Sequence, residues 1–166
     1  MMAIIETLRK TQLFQGLDDE QLELVAPLCR QVHCLSGKVF FSEGEEATDV
    51  FVVLEGQVAL EVELFMGDHL RPKTITVEKM ERDDTFGWSA LVEPRRMTTT
   101  ARCTRDVDII AINGDDLKVL LVRHPEIGLT VMENVAKIVR QRLVHTRQRL
   151  IAERGLEALY EAHRAY

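Results

Sequence analysis

Gln57-Val58-Ala59-Leu60-Glu61-Val62-Glu63-Leu64 sets the class of fold, because Val58, Leu60, Val62 and Leu64 alternate with Gln57, Ala59, Glu61 and Glu63. A strand with that period puts one row inward and the other in water. Ile75 with Val77, and Val107 with Ile109, repeat the period more briefly. Gly37, Gly44, Gly56, Gly67 and Gly87 punctuate the same region, and a turn at Gly67 and Asp68 is expected to join two strands. Residues 31–113 therefore read as an antiparallel sheet.

On the N-terminal side the period is helical. Ile4, Ile5 and Leu8 share one face, Asp18, Asp19 and Glu20 mark a second helix start, and Leu22, Val25, Ala26 and Cys29 continue at helical spacing. Residues 1–30 are expected to be helical. After Asn113 and Gly114 the helical pattern returns, first over Asp115 to Arg123 and then from Pro125, which suits a first helical turn because it has no N–H to leave unpaired. This second run is expected to end near Gly155, closing a unit of a short and a long helix over 114–155 and leaving residues 156–166 as a short helical tail.

Within the long helix Leu129, Met132, Ala136, Val139, Leu143, Thr146 and Leu150 recur at alternating spacings of three and four, the seam of a coiled coil. A second stripe, Ile127, Val131, Val135 and Ile138, suits a face packed on the parent sheet. Two readings stand: one stripe faces a twin and the other the sheet, or both pack on one core. A helix over 126–153 would measure ~42 Å at 1.5 Å per residue, so part of it should overhang the domain.

Composition narrows the function. The 166 residues are 46% hydrophobic and 29% charged, enough for a buried core in one domain. Apolar runs fall far short of the ~20 residues a membrane helix needs, and the start lacks the pattern of a secretory signal, so a cytoplasmic protein without membrane contact is expected. Residues 123–166 hold 8 Lys/Arg against 5 Asp/Glu, net +3, whereas the 122 before them hold 13 against 22, net -9. Lys137, Arg140, Arg142, Arg147, Arg149 and Arg154 supply the basic helix surface, read as charges flanking the seam rather than as a nucleic-acid contact. Cys29, Cys34 and Cys103 lack metal-site spacing, and the five histidines are scattered, so neither a metal nor a disulfide framework is expected. Ser89 lies in Gly87-Trp88-Ser89-Ala90-Leu91, which lacks the second glycine of a hydrolase elbow; no catalytic residue is assigned.

The spacing of Leu8 to Leu17, of Gly37-Lys38-Val39-Phe40-Phe41-Ser42-Glu43-Gly44-Glu45 and of Asp49 to Val58 resembles the cyclic-nucleotide-binding domain family, which includes catabolite activator protein relatives and protein kinase A regulatory subunits. That resemblance implies a mainly β fold: an eight-stranded antiparallel β-roll of jelly-roll type with N-terminal helices and a long C-terminal helix. It also implies a phosphate-binding cassette at 86–101, with Phe86, Gly87, Trp88, Ser89, Ala90, Leu91, Arg96 and Thr98 as the candidate ligand-binding residues. In the family a Glu follows the glycine and holds the ribose 2'-hydroxyl, while an Arg pairs with the cyclic phosphate. Here Trp88 takes the Glu position, and the Arg slot falls on Arg96 or on Met97 according to register. The N–H groups of Ser89, Ala90 and Leu91 are expected to face the anion, and Asp83 stands where the family prefers Gly.

Two functions follow from the resemblance. The first is a stand-alone, homodimeric regulatory sensor that signals through its C-terminal helix, with a cyclic nucleotide (cAMP or cGMP) or another small anion as ligand and an effector protein on a separate chain. The second is a ligand-free interaction module in which Trp88 plugs a degenerate pocket. A cavity beside Trp88 separates them.

Overall fold

The structure, a computed structural model, describes residues 2–65, 67 and 71–164, with side chains over 4–155 of that range. Helices α1 (Met2–Lys10) and α2 (Asp19–Val25) lead into strands β1 (Cys29–Cys34), β2 (Val39–Phe41), β3 (Asp49–Glu55), β4 (Val58–Leu64), β5 (Lys73–Met80), β6 (Thr85–Phe86), β7 (Thr100–Cys103) and β8 (Val107–Asn113). Helices α3 (Gly114–Arg123) and α4 (Pro125–Arg164) follow. The strands form two four-stranded sheets, β1-β8-β3-β6 and β2-β7-β4-β5, with every pairing antiparallel. This is the expected mainly β roll with flanking helices.

Local chemistry accounts for the helix starts. Asp18 and Gln21 form a reciprocal capping box at α2, in which each side chain accepts from the other residue's backbone N–H. Asn113 caps α3 by accepting from the N–H of Asp115 and Asp116 at 3.0 and 3.1 Å. Pro125 opens α4. One core joins both sheets and the helices, and it includes Phe14, Leu22, Val52, Phe86, Ile110 and Ile127. Phe51 and Phe86 stack with centroids 5.0 Å apart, and Phe40 and Phe41 flank them.

Three expectations need correction. Cys29 opens β1 instead of ending a helix, because the turn at Ala26–Leu28 uses Pro27 to finish the helical segment and Cys29 is already extended. The alternation in β4 holds for Val58 and Leu60 but not throughout: Ala59 is also buried, and Leu64 is 43% exposed. Of β4 only Val58–Glu61 pairs with β7, so the far half of β4 is a ribbon with β5 that projects past the core. The turn expected at Gly67 and Asp68 falls outside the described residues at Asp68; the pairing of Leu64 with Lys73 joins the two strands across it. Finally, α4 does not stop near Gly155 but runs to Arg164. A glycine within a helix costs only about 1 kcal/mol relative to alanine, and no capping geometry turns the chain there. The side chains of the tail, 156–166, lie outside the described residues. At 1.5 Å per residue α4 is ~60 Å long.

The two stripes of α4 separate cleanly. Ile127, Val131, Val135 and Ile138 are buried, whereas Leu129, Met132, Ala136, Val139, Leu143, Thr146 and Leu150 are all exposed in the single chain. Asn134 fixes the docking: buried on α4, its Nδ2 donates to the carbonyls of Leu13 and Gln15 at 3.1 and 2.8 Å. Those carbonyls lie in the 3-10 turn Gln12–Phe14 and on the residue that ends it, so this polar contact sets the register of α4 on the domain.

Candidate ligand-binding site

The cassette is held from behind. Phe86 on β6 is fully buried in the aromatic cluster, and Gly87 then takes φ 74, a conformation that L side chains rarely adopt. A Cβ on Gly87 would sit 2.8 Å from the Asp49 carbonyl and 2.9 Å from Phe51 Cδ2, so both backbone handedness and space require glycine. A short 3-10 turn, Trp88–Leu91, follows, and Ala90 packs against Gly114 at the start of α3, where a Cβ would meet Ala90 Cβ at 2.9 Å. Asp83 adopts φ 70 in the turn before β6. Aspartate tolerates that left-handed geometry better than most side chains, which explains how it occupies a glycine-favouring place.

In front of the cassette lies a cavity of about 190 Å³, lined by Phe41, Leu60, Val77, Glu78, Gly87, Trp88, Ser89, Met97, Thr98, Thr99, Arg142 and Thr146. Of the sequence candidates, the structure brings Gly87, Trp88, Ser89 and Thr98 to this cavity. It does not bring Phe86, Ala90, Leu91 or Arg96. Phe86, Ala90 and Leu91 are core residues, at most 6% exposed. The expected cradle of free N–H groups is partly spent within the turn, where Ala90 N donates to Gly87 O at 3.0 Å. Neither cassette arginine reaches in: Arg96 Nη1 donates to Gly44 O at 2.9 Å, and Arg95 pairs with Asp115 at 2.7 Å. Met97 takes the place that one register gave the arginine.

The cavity's positive charge comes from Arg142 on α4. Its Nη2 donates to Thr85 O at 2.7 Å and to Met80 Sδ at 3.1 Å, and its Nη1 lies 3.3 Å from Glu78 Oε2. Burial is the main influence on this guanidinium and pushes its pKa below the ordinary value, against the pull of Glu78 and Asp84. Arg142 is thus not one of the outward charges of the helix. A signal for this exists in the sequence: Ile127, Val131, Val135 and Ile138 are followed four residues later by Arg142, which continues the inward stripe. Thr146, one turn further, belongs to the seam by spacing and reaches the cavity as well, and Arg149 Nη1 donates to Val77 O at 2.5 Å.

On the other side of Arg142 lies a second cavity of about 190 Å³, lined by Gln12, Glu78, Lys79, Met80, Asp84, Thr85, Ile138, Gln141, Arg142 and His145. Glu78 and Arg142 form part of both walls. Asp84 lies half-buried there, and burial raises its pKa despite the hydrogen bond from Glu81 N and the attraction of Arg142. Among the described residues no group of three or more His, Cys, Asp or Glu is arranged to hold a metal ion, and no helix is long and apolar enough to cross a membrane.

A roll of two antiparallel sheets, a glycine-opened turn after β6 and a long helix closing the cavity define the cyclic-nucleotide-binding class of regulatory domain. Residues 31–124 match the model of the family described as "Cyclic nucleotide-binding domain", and the chain belongs to that family. It is similar to the CRP-like cAMP-activated global transcriptional regulator of Mycobacterium tuberculosis, 23% identical over 145 residues that span 87% of this chain and 61% of that protein. The cyclic AMP receptor protein of Thermus thermophilus is 24% identical over 82% of this chain and 59% of its own length. The chain therefore spans about three-fifths of these curated relatives. Among solved structures, a putative cyclic nucleotide-binding protein from Geobacter metallireducens is 32% identical with a TM-score of 0.70, over 83% of this chain and 96% of that one. The regulatory domain of Toxoplasma gondii PKA, solved with cAMP, shares the fold at 18% identity and a TM-score of 0.69, over 84% of this chain and 49% of that one.

Proposed function

We propose that this chain is a regulatory ligand-sensing domain that binds a cyclic nucleotide, cAMP or cGMP, or a related small anion in the cavity beside Trp88, and that signals through α4. The observation that carries the reading is the cavity itself. Trp88 does not plug it but lines it, together with Ser89, Thr98 and Thr99, and α4 supplies Arg142 and Thr146 to the same space. A ligand there touches the roll and the long helix at once, so it shifts any equilibrium in which the two differ in relative position. The exposed seam from Leu129 to Leu150 is the dimer contact through which that shift is passed on.

Affinity for cyclic nucleotides is expected to be modest. Trp88 offers one N–H donor where the family has a carboxylate acceptor for the ribose. A hydrogen bond to a charged group is worth ~1.5 to 3 kcal/mol, so its loss weakens binding about tenfold to a hundredfold. Thermal-shift titration with cAMP, cGMP and cyclic dinucleotides tests the reading. A saturable rise in melting temperature is the expected result; no shift at millimolar ligand would refute it.

A further inference from the structure

We infer that the ligand's anionic group is taken by Arg142 of α4, in exchange for Glu78, and not by an arginine of the cassette. The inference rests on the reading of this cavity as a nucleotide-type site and adds which charge holds the phosphate. Among the described residues that line the cavity, Arg142 is the sole Lys or Arg and Glu78 the sole carboxylate. Arg95 is committed to Asp115 at 2.7 Å and to the Ala47 carbonyl, and Arg96 to the Gly44 carbonyl at 2.9 Å. An anion entering beside Trp88 therefore meets one guanidinium.

The geometry of that guanidinium suits an exchange. Its Nη2 edge is fixed by the Thr85 carbonyl at 2.7 Å, but its Nη1 edge meets Glu78 at 3.3 Å, longer than the ~2.7 to 2.9 Å of a well-formed charge-assisted hydrogen bond. Glu78 keeps a quarter of its side-chain surface in water, so it has somewhere to go when displaced. A phosphate accepts from a guanidinium with two oxygens at once and supplies the counter-charge that Glu78 withdraws when displaced.

The exchange also resolves a problem of size. Each cavity, at about 190 Å³, is smaller than the ~300 to 1,000 Å³ usual for small-molecule sites, and Arg142 and Glu78 form part of the wall of both. Displacing Glu78 while Arg142 stays on the Thr85 carbonyl enlarges the space open to a ligand on both sides. The ligand class follows: an organic phosphate bearing a single negative charge, its neutral part against Trp88, Leu60 and Val77, with the hydroxyls of Ser89, Thr98 and Thr99 around it. Because Arg142 belongs to α4, phosphate capture loads the helix directly.

Calorimetry on the full chain with cAMP against adenosine, and with cGMP against guanosine, separates the phosphate from the base. The expected result is a preference of at least tenfold for the cyclic phosphate, which Arg142→Gln abolishes. Glu78→Gln, nearly isosteric and freeing the guanidinium, should tighten cyclic nucleotide binding severalfold, and it keeps the test available if Arg142→Gln does not fold. The inference is overturned if Arg142→Gln retains the preference, if Arg95→Gln or Arg96→Gln removes it instead, or if Glu78→Gln leaves affinity unchanged or weakens it. If neither cAMP, cGMP nor a nucleoside binds the unmodified chain, the nucleotide reading fails together with it.

Discussion

Arg142 Nη2 and the carbonyl oxygen of Thr85 lie 2.7 Å apart, so a residue on the C-terminal helix completes the backbone hydrogen bonding of the strand that carries the cassette. β6 is only two residues long and pairs with β3 alone, which leaves its other edge in need of a donor. The domain meets that need with a side chain 57 residues further along the chain, and so ties the cassette to α4.

Removing that tie should be visible without any ligand. Arg142→Ala leaves the Thr85 carbonyl and Glu78 without their partner and is expected to destabilise the fold by about 2 kcal/mol. A urea midpoint unchanged from the unmodified chain would show that the contact does not contribute.

Gly87→Ala should cost more, about 2 to 4 kcal/mol, because the left-handed backbone penalises any Cβ and the new methyl would press on the Asp49 carbonyl and the Phe51 ring. Thermal melting reads this directly; a variant that melts with the unmodified chain would contradict the geometry given for the cassette turn.

Trp88→Glu returns a carboxylate to the position at which the family binds ribose. Competition binding should then show cyclic nucleotide affinity about tenfold higher, the value of one charged hydrogen bond. Equal or lower affinity would contradict the ribose-binding role given to this position.

The exposed seam makes its own claim. Leu143, 67% exposed in the single chain, is one of its seven positions, and Leu143→Asp would bury a charge in a paired helix. Sedimentation velocity should find a dimer for the unmodified chain and a monomer for the variant; a dimer in both would place the contact elsewhere.

The thiols carry the pH dependence. Burial pushes Cys29 up to about 12 and, together with the neighbouring Cys34, pushes Cys103 up to about 11. A raised thiol pKa means that the folded state holds its proton more tightly than the unfolded chain, which titrates near ~8.5. The stabilisation is thus complete below about pH 8.5 and disappears as the pH climbs through 11 and 12. Urea midpoints measured from pH 8 to 10.5 should fall more steeply for the unmodified chain than for a Cys29→Ala, Cys103→Ala double variant. Parallel slopes would contradict the assignment.

Much of this fold is legible in the sequence because the relevant signals are periodic. Val58 and Leu60 mark a strand, Asn113 with Asp115 marks a helix start, and α4 shows two apolar stripes, although their spacing alone leaves open whether both pack on one core. The site is less legible because loop register is not periodic. Arg95 takes φ 55 at the end of the tight turn from Val92, and that single backbone choice turns Arg95 toward Asp115 and Arg96 toward Gly44, away from the cavity. Arg142 hides for another reason: a cation at an inward helical position looks like a solvated charge until the carbonyl, sulfur and carboxylate that receive it are seen together.

Trp88, the one tryptophan in the sequence, lines the cavity itself and so provides the most direct test of the central claim. In a titration of the unmodified chain with cAMP and cGMP, its emission should change in intensity or wavelength along a saturable curve for at least one of them, with the plain nucleoside weaker. An indole emission that stays constant to millimolar nucleotide, with no change in melting temperature, would contradict the account of this cavity as a nucleotide site.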